Sequence, residues 1–230
     1  YGIALFGSSN NMVSGNNITA NQGGVWFYGS DNNIFYHNNF ISNTEQVDST
    51  YCMNVWDDGI EGNYWSDYNG IDYDYDGIGD ILYFIESIDV DCYPLVGMFS
   101  SFNTSLGLYV NVISNSTIED FEYFESNSTI RMYVSNMTAT QTYGFCRICI
   151  PHTLMDVSNI SVIIDGGLTP VFYQNYTLYD NGTHRWIYFA YLHSIHEIDI
   201  TPEFPSLIIS SLFMIATLLA VVVYKRKHFV

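Results

Sequence analysis

The first 56 residues repeat themselves every 22 positions, and this period limits what the chain can fold into. Gly2 recurs as Gly24, Gly7-Ser8 as Gly29-Ser30, Asn10-Asn11 as Asn32-Asn33, Asn16-Asn17 as Asn38-Asn39, and Asn21 as Asn43. Ile3, Val25 and Val47 share one phase, Met12, Ile34 and Trp56 a second, and Asn10, Asn32 and Asn54 a third. Each unit consists of short β-rich runs broken by Asn, Ser and Gly, and stacking successive units buries their apolar faces in one continuous core. Leucine-rich repeats have a similar period but need a leucine lattice, which this stretch lacks. The pattern predicts a right-handed parallel β-helix over residues 1–56, one coil per repeat, with Ile, Val, Phe and Met stacked inside. Asparagine suits its turns because it tolerates left-handed backbone and can hydrogen-bond the neighbouring coil.

Residues 57–100 break the period. A solenoid needs a terminal cap, since an open coil exposes both its core and its strand edges. This aromatic-rich stretch is the expected cap, and it contains the run D-Y-N-G-I-D-Y-D-Y-D-G-I-G-D from Asp67 to Asp80. Carboxylates at every second position, followed by a glycine for a sharp turn, open a calcium loop. With Asp72 at position 1, Asp74 and Asp76 take positions 3 and 5, Ile78 offers a carbonyl at 7, and Asp80 takes 9. Tyr83 stands at position 12, where an EF-hand carries its bidentate Glu, so the expectation is a loop-only calcium site. No Lys or Arg occurs in residues 1–130 to neutralise these charges.

The segments W-D-D-G (Trp56–Gly59), G-N-Y-W-S-D-Y-N-G (Gly62–Gly70), D-Y-D-G-I-G-D-I-L-Y (Asp74–Tyr83) and D-C-Y-P-L (Asp91–Leu95) resemble the closing part of NosD-like parallel β-helix surface proteins, which are common in archaea. Where such proteins usually carry Thr-Pro before the Tyr, this chain has Ile81-Leu82. The resemblance covers residues 1–97 and implies the β-helix fold. NosD itself is associated with copper-site maturation.

Residues 101–200 are poorer in glycine and alternate at period two. Ile130, Met132 and Val134 alternate with Thr129, Arg131 and Tyr133, and Ile160, Val162 and Ile164 lead to a turn at Asp165-Gly166-Gly167. Asp180-Asn181-Gly182 sits between two aromatic runs as a hairpin turn. About seven short strands in this span predict an immunoglobulin-like β-sandwich, the kind of membrane-proximal module that accompanies archaeal β-helix surface proteins. Sequons occur at Asn17, Asn103, Asn115, Asn127, Asn136, Asn159, Asn175 and Asn181, seven of them between 103 and 181, the pattern of a glycosylated outer surface. Four cysteines allow three pairings, and Cys146 and Cys149, at i and i+3 on a strand, face opposite ways.

Residues 201–206 form a proline linker, and the run Leu207–Tyr224 has no charge, long enough for one transmembrane α-helix. Lys225, Arg226 and Lys227 open a basic tail over 225–230 and predict it in the cytoplasm, with residues 1–204 outside. Pro202-Glu203-Phe204 with the span and tail resembles the PEF-type C-terminal sorting signal of archaea. The chain starts mid-repeat at Tyr1, which reads as the C-terminal part of a longer exported protein.

A net charge of −18 excludes a phosphate-binding face, hence nucleic acid. Catalysis finds little support in these residues. Lyase chemistry needs an Arg or Lys base, absent before Arg131, and the carboxylate pair Asp57-Asp58 is adjacent on the chain. His193 and His196 have poor metal spacing on a strand. The expected function is a non-catalytic, membrane-anchored surface protein, binding calcium and contacting glycans or surface-layer components. Trp26, Tyr28, Tyr36 and Tyr51 are the candidates for stacking on sugars. The alternatives are the tail of a surface polysaccharide hydrolase or lyase, with its active site in coils before Tyr1, or a copper-associated NosD-like protein.

Overall fold

Repeat length decides which residues meet in space. The computed structural model describes residues 1–85, 89–156 and 159–203. The first repeat supplies β1 (Ile3–Phe6), β2 (Met12–Ser14) and β3 (Asn17–Thr19), and the second β4 (Gly23–Tyr28), β5 (Ile34–Tyr36) and β6 (Asn39–Ile41). Next come β7 (Glu45–Thr50) and β8 (Tyr64–Trp65). They pair in parallel as β1–β4–β7, β2–β5 and β3–β6–β8, with Ile3 opposite Val25, Val25 opposite Val47, Met12 opposite Ile34 and Asn17 opposite Asn39. Left-handed backbone recurs at the same interval, at Gly7 and Gly29, Asn10 and Asn32, Gly15 and His37, and Ala20 and Ser42. The inward core contains Val25, Phe27, Phe35, Phe40, Val47, Trp56 and Trp65.

The third repeat slips by one residue relative to the sequence reading. Ser8, Ser30 and Cys52 keep the 22-residue step, but Asn33 meets Asn54 after 21. Met53 bonds both Asp31 and Asn32, so one residue does the work of two, and Val55 rather than Trp56 pairs with Ile34. The slip frees Trp56 to stack on Phe35 with ring centres 4.9 Å apart.

Three ladders of side-chain amides run between the repeats. Asn11 donates from its backbone N and its Nδ2 to Asn33 Oδ1, and Asn33 does the same to Asn54 Oδ1. Asn16 serves Asn38 in this way, and Asn38 serves Asn63. Asn21 serves Asn43, which passes through Gln46. Every ladder ends on an aspartate. Asn54 N donates to Asp89, Asn63 N to Asp91 and Gln46 Nε2 to Asp67. Asp89 and Asp91 lie in β10 (Asp89–Asp91), which pairs antiparallel with β9 (Tyr83–Ile85), and they also accept the indole N–H groups of Trp56 and Trp65, at 3.0 and 2.9 Å.

The rest of the described chain is antiparallel. β11 (Met98–Asn103), β12 (Tyr109–Ser114), β13 (Ser116–Phe124), β14 (Thr129–Asn136), β15 (Tyr143–Pro151), β16 (Ile160–Ile164), β17 (Val171–Asp180), β18 (His184–Leu192) and β19 (His196–Pro202) make two open sheets, ordered β11–β12–β15–β18–β17 and β13–β14–β19–β16. Ile130, Met132 and Val134 point inward from one sheet, and Val112, Ile148 and Phe189 from the other, into one shared core. The expected turns at Asp165–Gly167 and at 180–182 are present, and the β17–β18 hairpin closes through Asn181 N to His184 O. The described chain is all-β apart from that single 3-10 turn, and most of its strand pairing is antiparallel. No described helix is long and apolar enough to cross a membrane. The predicted span at 207–224 and the basic tail lie outside the described residues, as does Phe204.

Asp91 tests the ladder ends. Its Oδ2 accepts from Asn63 and Trp65 and its Oδ1 from Tyr93 N, so an amide group placed on either side meets an N–H donor. Asp91→Asn should therefore lower stability by about 2 kcal/mol, the loss that follows when a buried donor loses its acceptor. A urea titration followed by the fluorescence of Trp56 and Trp65 measures it, and an unchanged midpoint would count against the ladder ends as a constraint.

Candidate metal loop and the junction beside it

The acidic loop takes its shape from close approaches. Gly77 has φ +85°, and a Cβ there would sit 2.9 Å from Arg147 Cδ. Gly70 and Gly79 both lie against the ring of Tyr68, whose hydroxyl donates to Ile81 O. Backbone N–H groups then fix the carboxylates. Asp76 N and Gly77 N donate to the two oxygens of Asp72, and Tyr73 N donates to Asp80 Oδ2.

One carboxylate oxygen from each of Asp72, Asp74 and Asp80 lies within 4.8 Å of the others. Oxygens bound to one calcium ion at 2.3–2.6 Å can be no farther apart than about 5 Å, so this spacing suits a single hard cation. Of the four aspartates named from the sequence, three are gathered here. Asp76 stands aside, its Oδ1 accepting from Ile78 N at 2.7 Å, and Ile78 bridges to Leu95. Burial raises the pKa of Asp72, and it raises that of Asp76 to about 6 with help from the neighbouring carboxylates Asp74 and Asp72. A cleft of about 690 Å3 opens beside the loop, walled by Asp74, Asp76, Asp80, Cys92, Tyr93 and Arg147.

Arg147 reaches this place from β15 and joins a buried charge cluster that sequence reasoning missed. Its Nη1 donates to Glu61 Oε1, and His37 Nε2 lies 2.7 Å from Glu61 Oε2. An ionised Glu61 can only accept, so His37 presents an N–H at Nε2 to it. The His37 ring stacks on Phe99 with centres 4.0 Å apart. Asn39 adds a two-way bond, accepting from Phe99 N and donating to Phe99 O. Leu95, Phe99, Ile113, Phe145 and Tyr188 pack around these polar groups and bind the repeats to the first antiparallel sheet. The scarcity of cations before residue 147 was the available clue: a buried Glu61 had to find its partner there.

The remaining candidates take structural positions. Asp57 accepts from Gly59 N and Cys92 N, and Asp58 from Ile60 N and Glu61 N, so both carboxylates hold turns. No disulfide joins any of Cys52, Cys92, Cys146 and Cys149. His196 contacts Asp165 and Leu192 O, while His193 contacts Ser116. Trp26 stacks on Tyr1 and Tyr28 on Phe6, so one ring face of each is already covered, whereas Tyr51 is exposed and Tyr36 donates to Met12 Sδ. Among the sequons, Asn17, Asn103, Asn127, Asn136, Asn159 and Asn181 are exposed, and Asn175 lies in β17. Asn115 is half-buried, its Nδ2 bonded to Tyr143 O. Pro202 closes β19, and Glu203 N bonds to Asn159 O.

Residues 1–70 match the NosD family model, described as a periplasmic copper-binding protein. The NosD-like part therefore holds the parallel repeats and stops before Asp72. No curated protein matches the chain, and no solved structure does. The NosD description raises copper, which favours imidazole and sulfur ligands. In residues 1–70 those donors are Met12, His37, Cys52 and Met53. His37 is engaged by Glu61, Cys52 is buried and accepts from Ser30 N, and Met12 accepts from Tyr36. Met12 and Met53 are exposed while Cys52 is buried, and among the described His, Cys, Asp and Glu residues the only group of three or more close enough to hold a metal is the all-oxygen set Asp72, Asp74 and Asp80. These residues do not fit copper.

The junction sets a pH dependence. Burial opposes the charge on Glu61, but the hydrogen bond from His37 and the charge of Arg147 outweigh it and hold the pKa at about 2. A depressed acid stabilises the fold above its unfolded value and loses that contribution as pH falls, here from about 4.5 to about 2, roughly 3 kcal/mol in all. Burial instead raises Asp91 to about 6. It and Asp76 therefore work the other way, and their contribution falls as pH rises from about 4 to about 6. Glu61→Gln should flatten the acid limb of a stability–pH curve and leave the limb between pH 4 and 6. Loss of both limbs, or of neither, would contradict this assignment.

Proposed function

We propose that this chain is the membrane-proximal part of a non-catalytic surface protein, in which a β-helix ends and is held on a stalk. On this reading residues 1–56 are coils of a right-handed parallel β-helix and residues 57–100 its cap. Residues 101–200 are an immunoglobulin-like β-sandwich, and Leu207–Tyr224 is a membrane span with the basic tail inside. The observation that carries it is the termination of all three amide ladders on Asp67, Asp89 and Asp91, beside a buried junction with the antiparallel sheets. A carboxylate accepts and does not donate, so a donor chain stops there. The match of residues 1–70 to NosD, a periplasmic family, fits an extracytoplasmic location. Glycans or surface-layer components are the partners on this reading, which assigns no reaction to the described residues.

Calcium belongs to the same reading, held by Asp72, Asp74 and Asp80 at the edge of the junction. Calorimetry should give a dissociation constant on the order of 10⁻⁴–10⁻³ M, as in extracellular modules. Asp74→Asn or Asp80→Asn should weaken binding about tenfold or more, and Asp76→Asn less. Absence of heat, together with a melting temperature that saturating calcium does not move, would remove calcium from the reading.

The anchor is tested separately. Protease applied to intact cells should digest residues 1–200 and spare a tag placed after Val230, because moving Lys225, Arg226 and Lys227 across hydrocarbon is strongly unfavourable. Protection of residues 1–200 would reverse the topology and with it the surface role.

A further inference from the structure

Another cleft, of about 600 Å3, lies between Tyr75 at the tip of the acidic loop and the face of β15 and β18 turned away from the core between the two antiparallel sheets. Its walls are Tyr75, Tyr143, Phe145 and Tyr188, with Asn115 at the edge. This volume is in the range of small-molecule sites. Phe145 and Tyr188 stack at 5.6 Å, and Tyr75 tilts toward Tyr188 at 55° with centres 6.4 Å apart, so rings approach the space from both the loop and the sheet. Tyr75 is held there by a left-handed backbone, φ +59°, which a bulky residue rarely adopts. Tyr75 and Tyr143 remain exposed, at 44% and 59%.

The polar inventory narrows what could enter. Asn115 has spent its amide on the chain, accepting from Phe145 N and donating to Tyr143 O. No acidic or basic side chain lines the space. Besides Asn115, the side-chain polar groups on the walls are the phenol hydroxyls of Tyr75, Tyr143 and Tyr188, and no cationic side chain is there to attract an anion. The surroundings are negative: Tyr75 stands between Asp74 and Asp76 in the loop. The phenol of Tyr188 is raised by its burial and then by Asp72 and Asp76, so the field of the loop extends to the cleft wall. The nearby cation Arg147, two residues beyond Phe145 on the same strand face, is bound to Glu61. Aromatic faces attract cations through the ring quadrupole, and this attraction grows where water is displaced.

We propose that this cleft binds an organic cation of the quaternary-ammonium class, held by the faces of Tyr75, Tyr143, Phe145 and Tyr188 beside the acidic loop. The inference does not rest on the loop holding calcium. The test is titration of the full chain with choline, with its uncharged isostere 3,3-dimethylbutan-1-ol, and with glucose, read by calorimetry. Choline should bind saturably and about tenfold more tightly than the isostere, a difference of about 1.4 kcal/mol. Tyr75→Ala and Tyr143→Ala should weaken choline fivefold or more with an unchanged melting temperature, while Tyr75→Phe, which keeps the ring face, should stay within twofold. Because Tyr143 is exposed, its variant keeps the test valid if Tyr75→Ala disturbs the loop. Equal affinity for choline and the isostere would make this an apolar cleft and overturn the proposal. Preference for glucose, or no saturable binding of choline, would overturn it as well.

Discussion

The structure depends on a one-way flow of hydrogen bonds. In each ladder an asparagine gives two N–H groups, one from its backbone and one from its side chain, to the Oδ1 of the residue one repeat along. Such bonds each contribute on the order of 1 kcal/mol when made and cost more when a buried donor is left over. The direction leaves donors at the end of every ladder, and a further asparagine would only pass the problem on. Asp67, Asp89 and Asp91 accept from these ends, with Asn54 Nδ2 alone left over among the described residues, and two of them lie on the antiparallel β9–β10 pair. Gly62 completes the fit, since a Cβ there would collide with the Asp91 carboxylate.

Ending the ladders on carboxylates concentrates negative charge in a region without a single Lys or Arg. Buried charge needs a partner, so the antiparallel unit and the repeats are coupled electrostatically as well as by packing. Arg147 is the link. It pairs with Glu61 and, at the same time, fills the space above Gly77 in the acidic loop. Its Nε remains without a protein partner, as does the Nδ2 of Asn54 where the repeat loses a residue. Both imperfect spots lie where regular structure gives way to the junction, which is where competing demands on geometry meet.

The same loop borders two clefts of different chemistry. On the one lined by Asp74, Asp76 and Asp80, carboxylates dominate, and hard-cation chemistry follows from their oxygen donors. On the other, Tyr75 turns an aromatic face toward β15 and β18. Within this loop Asp74 and Asp76 thus line one cleft and Tyr75, between them, lines the other.

The sequence by itself determined the period, and with it the parallel register, because a fixed step places equivalent side chains one strand spacing apart. It determined the antiparallel strands from their alternation and the hairpin at 180–182 from its turn residues. It also marked the acidic loop, since ligands for one ion must come close together on the chain. What it did not contain was the slip at Met53, where a single residue bridges two turn positions, because the local signal for Asn at a turn is the same in either register. Nor did it contain the inward course of Asp89 and Asp91, since D-V-D reads as well for a solvated strand as for a buried one. The partnership of His37, Glu61 and Arg147 spans 110 residues, and no local pattern pairs groups so far apart. Tertiary packing alone brings them together, because only there does burial make each charge need the others.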